Sequence, residues 1–216
     1  MSTFQSQVVP CASCGVAFQV HVLEGLHISR LPDQRRAILD ERFHAFACPG
    51  CGDTTVVLTP AIYTDFDRSH YVAVEVDGDW RDHRERHRQV FDQSFLYGPG
   101  IAEGLSRSLV CRLVFGYRAL REKLLLWDGG FDDRVFEAMK AVCVGPARLP
   151  MRLARVLDGG HLLCQVRLPD GSSAWHTFTN DEYATALEAR RPLLDRYPWL
   201  NEEWYVDFLG AAPFAG

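Results

Sequence analysis

A chain of 216 residues that is 47% hydrophobic and 12% aromatic can bury a substantial core, as one large domain or two small ones. Its formal net charge of -5 argues against a polyanion as the main partner, because phosphate binding needs a basic face. No apolar run approaches the roughly 20 residues of a membrane-spanning helix, and residues 1–9 lack the features of a secretory signal. We therefore expect a cytoplasmic protein with no membrane partner.

The N-terminal third is predicted to be a zinc-ribbon-like module interrupted by a helix. Residues 18–22 and 55–58 alternate as short strands, each beside a pair of cysteines. Between them, residues 32–43 have helical character, with Pro32 suited to the first turn. The helix is therefore an insertion between two cysteine-containing turns.

The next segment is predicted to be a strand, a helix and a loop. Residues 71–76 are strand-like and end at the turn signal Asp77-Gly78-Asp79. Residues 80–95 are polar, rich in arginine and helical in pattern, and residues 97–100 contain the Gly-Pro-Gly of a loop or hinge. We expect the chain to leave the N-terminal module at this loop.

The middle of the chain is predicted to hold a strand followed by two helices. Residues 108–115 fit either a buried strand or the front of a long helix, and Gly116 favours the strand. A helix then covers residues 117–127. Asp132 or Asp133 caps the next helix, whose apolar side comprises Phe136, Ala138, Met139 and Val142.

The last third is predicted to be a β-meander followed by a helix. Three short strands are separated by turn signals and cover residues 151–157, 161–168 and 174–178. Residues 179–182 form a capping box for a helix running to about residue 197. The aromatic residues that follow are predicted to pack into the fold rather than form a partner site: Trp199, Trp204, Tyr205, Phe208 and Phe214.

Together these patterns predict an α+β fold. It comprises the zinc-ribbon-like module with its helical insertion, the middle strand and helix pair, and the C-terminal β-meander plus helix. The expected domains are residues 1–96 and residues 101–216, which are free to pack as one globular unit.

The seven cysteines fall into two groups. In a reducing compartment they are expected to be thiols or metal ligands rather than disulfides. Three of them stand alone, and we assign these to the core as small buried hydrophobes: Cys111, Cys143 and Cys164.

The other four cysteines form two C-x-x-C-G turns: Cys11, Cys14, Cys48 and Cys51. Such a turn presents two thiolates to one ion, and a glycine after the second cysteine lets backbone amides approach the sulfurs. The gap of 33 residues between Cys14 and Cys48 exceeds the usual ribbon spacing of about 15 to 20 and accommodates the helix. We predict one structural Zn²⁺ at these cysteines. The alternative, a redox dithiol, is disfavoured because the pairs are flanked by strands.

Four segments resemble the bacterial CpXC domain, which is presumed to bind zinc and has no established activity. They are residues 11–14, 27–29, 46–52 and 62–65. Residues 120–123, residues 132–137 and Lys140 are similar to the region that follows the domain in longer members. The resemblance spans roughly residues 8–143. The first pair lacks the proline that the family often has after its first cysteine, and the resemblance transfers no catalytic residue.

Two further groups of residues have an alternative functional interpretation. His83 and His87 are four residues apart, as metal ligands on a helix are. Their arginine neighbours disfavour a cation, so we expect a solvated helix face with pairing between the arginines and Asp82 or Glu85. The acidic residues Asp132, Asp133, Glu137 and Glu122 are interpreted as helix caps and salt bridges rather than as a catalytic cluster.

Three functions remain open from the sequence. The first is a non-catalytic, zinc-stabilised module that binds another protein, with an accessory or toxin-neutralising role as one example. The second is nucleic-acid binding through the ribbon and residues 81–88, which the acidic charge disfavours. The third is an enzyme with a site between the two domains.

Overall fold

The structure is a computed structural model that describes residues 3–96, 100, 104, 106–201 and 204–207. Its backbone packing divides the chain into two compact units, Met1–Tyr117 and Arg118–Gly216. The class is α+β, as predicted, with six helices and both parallel and antiparallel strand pairs among the described residues.

The first unit contains seven strands, which are β1 (Thr3–Pro10), β2 (Ala17–His27), β3 (Ala45–Ala47), β4 (Thr54–Val56), β5 (Ala61–Asp65), β6 (His70–Glu75) and β7 (Val110–Phe115). Its main sheet has the order β1-β2-β5-β6-β7, and β3 and β4 form a separate hairpin. All six residues of β6 are buried, so this strand lies at the centre of the unit. No sequence pattern predicts β1 or β5, and the segment of β7 is predicted in the C-terminal region, whereas the structure pairs it with β6.

Two crossovers connect parallel neighbours in the main sheet. The connection from β2 to β5 contains helix α1 (Pro32–Leu39) and the β3–β4 hairpin. The connection from β6 to β7 contains helix α2 (Trp80–Phe91), which Asp79 caps by accepting a hydrogen bond from the Arg81 amide at 2.7 Å. Trp80 and Phe91 are the buried residues of α2 and hold it against the unit.

The second unit contains helices α3 (Tyr117–Asp128), α4 (Asp133–Val144), α5 (Asn180–Glu188) and α6 (Arg190–Asp195), and strands β8 (Met151–Val156), β9 (Leu162–Arg167), β10 (Ser173–Phe178) and β11 (Trp204–Tyr205). Strands β8, β9 and β10 form an antiparallel meander with β9 in the middle, as predicted. One core cluster joins the meander to α4 through Phe136, Met151, Leu162 and Phe178.

The C-terminal helix differs from the prediction, because two helices replace the single one expected. The break falls at Ala189, whose φ of -86° and ψ of 17° are not helical. Pro192 in α6 explains it, since a continuous helix would bring the proline ring against the carbonyl group of Glu188. Of the predicted aromatic anchors, Trp204 is buried and Trp199 packs beside Leu200, whereas Phe208 and Phe214 lie outside the described residues.

No helix in the described part of the chain is long and apolar enough to cross a membrane.

Candidate metal centre

The first cysteine turn connects β1 to β2. The Cys11 amide donates to the Val16 carbonyl at 2.9 Å, and the Gly15 amide donates to the Cys11 carbonyl at 2.9 Å. Gly15 has a φ of 74°, a left-handed conformation that disfavours any residue with a Cβ. The glycine after the second cysteine is therefore what allows the chain to close this turn.

The second turn connects β3 to β4 and has the same two backbone hydrogen bonds as the first turn. The Cys48 amide donates to the Asp53 carbonyl at 2.8 Å, and the Gly52 amide donates to the Cys48 carbonyl at 2.9 Å. Gly52 has a φ of 79°. The Gly50 amide also donates to Cys48 Sγ at 3.3 Å, as backbone amides do to metal-bound sulfur.

The two turns face each other and bring the four predicted sulfurs together. Cys11 Sγ lies 3.7 Å from Cys51 Sγ, and Cys14 Sγ lies 3.6 Å from Cys48 Sγ. All four Sγ atoms lie within 4.8 Å of one another. These separations exceed the ~2.05 Å of a disulfide and fit the ~3.8 Å edge of a tetrahedron with metal–sulfur bonds of ~2.3 Å. The four residues could therefore hold one metal ion.

The thiols influence one another's protonation. The amides of Cys14 and Ser13 donate to Cys11 and lower its pKa to about 6. The Asp53 amide favours the Cys51 thiolate, but the neighbouring cysteine side chains and burial outweigh it and raise the pKa of Cys51 to about 12. Four adjacent thiolates need a cation between them, because like charges in contact disfavour ionisation. The donor set thus fits a bound divalent ion.

His44 directly precedes the β3–β4 hairpin and links it to strand β2 of the main sheet, a role that no sequence pattern indicates. Its Nε2 accepts a hydrogen bond from the Leu23 amide at 2.8 Å, so the ring proton lies on Nδ1 and is donated to the Tyr117 hydroxyl at 2.9 Å. The Tyr117 hydroxyl in turn donates to the Thr59 carbonyl at 2.8 Å. Burial lowers the pKa of His44 to about 4, which keeps the ring neutral.

The expectation of a solvated face for His83 and His87 is wrong. Both side chains are largely buried against Glu75, the last residue of β6. Arg86 pairs with the same carboxylate instead of with Asp82 or Glu85. These contacts join a strand residue to helix residues that are eight to twelve positions further along the sequence, so spacing on the helix alone could not reveal them.

The lone cysteines are not all in the core. Cys164 is fully buried and Cys111 is partly buried, but Cys143 is exposed. Val142, predicted on the apolar side of α4, is also 53% exposed. The exposure of Cys143 and Val142 follows from the period of the helix, because the buried face of α4 passes through Ala138, Ala141 and Val144.

The acidic residues of α3 and α4 serve as caps and ion-pair partners, as predicted. Asp132 accepts from the Arg134 amide at 2.9 Å at the start of α4. Glu122, Asp133 and Glu137 are buried and pair with the chain's two lysines. Of the predicted Gly-Pro-Gly hinge, only Gly100 belongs to the described residues.

Comparison with known proteins gives one family match. The family model of the CpXC protein matches residues 9–140, which include both cysteine turns, Glu75 and α3. No curated protein and no solved structure matches the chain.

Proposed function

The chain belongs to the CpXC family, and from that premise we propose that it is a zinc-stabilised module that binds an extended segment of another protein along strand β1. The metal at the four cysteines is structural in this proposal. Four protein ligands complete a tetrahedral site, so no coordination position is open for a substrate.

Zinc is the proposed ion because of the donor type. Four thiolates are soft ligands, and a tetrahedral four-sulfur site selects zinc or iron–sulfur chemistry among biological metals. The proposal includes a zinc-ribbon-like arrangement, and it is supported by the two C-x-x-C-G turns, which lie in the β1–β2 and β3–β4 hairpins and bring their sulfurs together. Iron in the same site is an outcome that metal analysis would detect.

The open side of β1 is the observation that carries the interaction proposal. In the described part of the chain β1 is the first strand of its sheet and pairs only with β2. None of its eight residues is charged, although charged side chains are a common protection against strand pairing at an edge. Phe4 and Val8 are 63% and 69% exposed.

An extended peptide segment matches this edge. A partner strand would use its main-chain groups to continue the hydrogen-bonded ladder, while apolar side chains on it would cover Phe4 and Val8. The metal turn begins at Cys11, directly after β1, and fixes the end of the strand. Zinc would therefore support binding by holding the β1–β2 hairpin in place.

The contacts of the arginine-rich helix favour a protein partner over nucleic acid. The guanidinium groups of Arg81 and Arg84 lie 4.6 and 4.9 Å from the Trp80 ring centroid, and Arg86 pairs with Glu75. These side chains already have partners within the protein. Salt-sensitive binding to DNA or RNA would be the signature of the nucleic-acid alternative.

The test compares three forms of the full chain as bait in native extract. Phe4→Lys/Val8→Lys places two charges on the open edge, and Leu187→Lys is the matched control because Leu187 is an exposed apolar residue of α5, 44% exposed. We expect a protein retained by the wild type and by Leu187→Lys and lost with the double variant. The purified complex should then show slowed hydrogen exchange at the amides of β1.

Two results would count against the proposal. One is a partner retained equally by all three forms. The other is a complex in which the β1 amides exchange as fast as in the free protein.

A further inference from the structure

Three potential metal ligands meet where β6 ends and α2 begins. Glu75 is the last residue of β6, and His83 and His87 lie one turn apart on α2. Their ligand atoms all lie within 4.8 Å of one another. The place is the carboxyl end of a strand in a parallel β6–α2–β7 unit, where open sheets commonly bind ligands.

The distances are close to those of a metal site. His83 Nδ1 lies 3.4 Å from Glu75 Oε1, which is the edge length of a tetrahedron with bonds of ~2.0–2.1 Å. His87 Nε2 lies 2.6 Å from the same oxygen, a hydrogen-bond distance that a small rotation of the ring would open. The carboxylate is 5% exposed and each imidazole is less than one-sixth exposed.

The backbone already orients His83 as a metal ligand. His83 Nε2 lies 2.7 Å from the Asp77 carbonyl oxygen, to which it donates, so the lone pair lies on Nδ1 beside Glu75. Metal-bound histidines almost always donate their second ring nitrogen in this way. Gly78 has a φ of 103°, and a Cβ there would collide with the His83 ring.

The guanidinium group of Arg86 lies where a metal ion would bind in this cluster. Its Nη2 contacts Glu75 Oε1 and lies 2.7 Å from His83 Nδ1. The Arg86 side chain is 57% exposed, so it can leave toward solvent without unpacking the helix. Burial raises the pKa of Glu75, but the two imidazoles and the guanidinium outweigh it and hold the pKa below its usual value. Glu75 therefore already pairs with a cation at the place where the three potential ligands converge.

We propose that Glu75, His83 and His87 form a second, exchangeable site for a divalent transition metal ion, which Arg86 covers when the ion is absent. Two imidazoles and one carboxylate suit Zn²⁺, Co²⁺, Ni²⁺ or Fe²⁺ rather than Mg²⁺ or Ca²⁺. On binding, the guanidinium leaves, and His87 gives up its Nε2 proton and carries one on Nδ1. Three protein ligands leave at least one position open for water or an external ligand, unlike the four-cysteine site.

The experiment uses the untagged full chain, first supplied with Zn²⁺ and then dialysed, so that the cysteine site stays occupied and weakly bound metal is removed. This sample is titrated with Zn²⁺ and followed by calorimetry and native mass spectrometry. The wild type should bind a second ion. Arg86→Ala should bind it roughly 10- to 100-fold more tightly, the range by which groups around a metal ligand change affinity. Arg88→Ala, on the exposed side of the same helix, should match the wild type.

Loss of a ligand separates this site from incidental binding. His87→Gln should lose the second ion while keeping the first ion and the wild-type circular dichroism spectrum. If His87→Gln does not fold, His83→Gln replaces it in the same test. Failure of Arg86→Ala to bind a second ion at millimolar Zn²⁺ would overturn the proposal. So would a second ion held equally by His87→Gln, because it would lie elsewhere.

Discussion

The chain's two lysines, Lys123 and Lys140, both lie in the interior of the second unit. Lys140 Nζ is 2.9 Å from a carboxylate oxygen of Glu122 and 2.9 Å from one of Glu137, and Lys123 Nζ is 3.1 Å from Glu137. Burial raises the pKa of Glu137, while the lysines favour its charged form. Because desolvation costs several kcal/mol for each ion, such a network is stable only while it stays complete.

Replacing one lysine should therefore destabilise the second unit strongly. Lys140→Met leaves two carboxylates buried without their shared cation, and we expect the free energy of unfolding to fall by about 3–5 kcal/mol. Urea unfolding followed by circular dichroism measures this change. Arg155→Met removes an exposed cation from β8 and should change it by less than about 0.5 kcal/mol. Similar values for the two variants would show that the network does not stabilise the unit.

His44 should make stability depend on pH. Its pKa falls from 6.5 to about 4 on folding, so between these values the unfolded chain binds a proton that the folded chain does not. The stabilisation is complete above pH 6.5 and is lost as the pH falls toward 4. We expect a loss of about 2 kcal/mol between pH 7 and pH 5. His44→Gln should remove most of that pH dependence, which urea unfolding at each pH measures. If the free energy of unfolding of the variant falls as steeply between pH 7 and pH 5, other groups cause the pH dependence.

The sequence allowed residue-level prediction where the chemistry is local. Each C-x-x-C-G turn contains its own two thiols and glycine, so both turns were predictable from spacing. His44 and Tyr117 are 73 residues apart, and their contact depends on how β2 and the β3–β4 hairpin pack. No pattern within either segment indicates that contact.

At the scale of elements, the start of α5 offers a direct test of a sequence signal. Thr179 accepts from the Glu182 amide, and Glu182 accepts from the Thr179 amide, as the capping box predicts. Thr179→Ala should lower the free energy of unfolding by about 1 kcal/mol. Thr185→Ala, inside the same helix and exposed, should be neutral or slightly stabilising because alanine favours helix. Equal effects of both would contradict a capping role.

Elements were predictable where turns and caps mark their ends. The meander strands lie between Gly-rich turns and were placed within a few residues of their bounds. Polar and apolar residues do not alternate regularly along β1, and most of them are exposed, so its pairing with β2 supplies the information that its own pattern lacks. The break at Ala189 had a local signal in Pro192, which the helical pattern obscured.

At the scale of the whole molecule, the two units depend on different interactions. The first unit has the paired cysteine turns and the proposed zinc ion, whereas the second has an apolar core with the buried lysine network. The α+β class and the cysteine cluster were predicted because hydrophobic periodicity and ligand spacing are properties of short segments. The pairing of β7 with β6 was not predicted, because a parallel pair joins segments that are distant in sequence.

The most direct test of the central claim is native mass spectrometry of the dialysed full chain, with metal analysis and chelator-dependent unfolding of the same samples. The wild type and Cys143→Ser, which removes an exposed lone thiol, should each retain one zinc ion. Cys48→Ser should retain none, and hydrogen exchange in residues 3–96 should rise to the level of the chelated wild type. A wild-type chain that carries no metal and keeps the same protected first unit would contradict the claim.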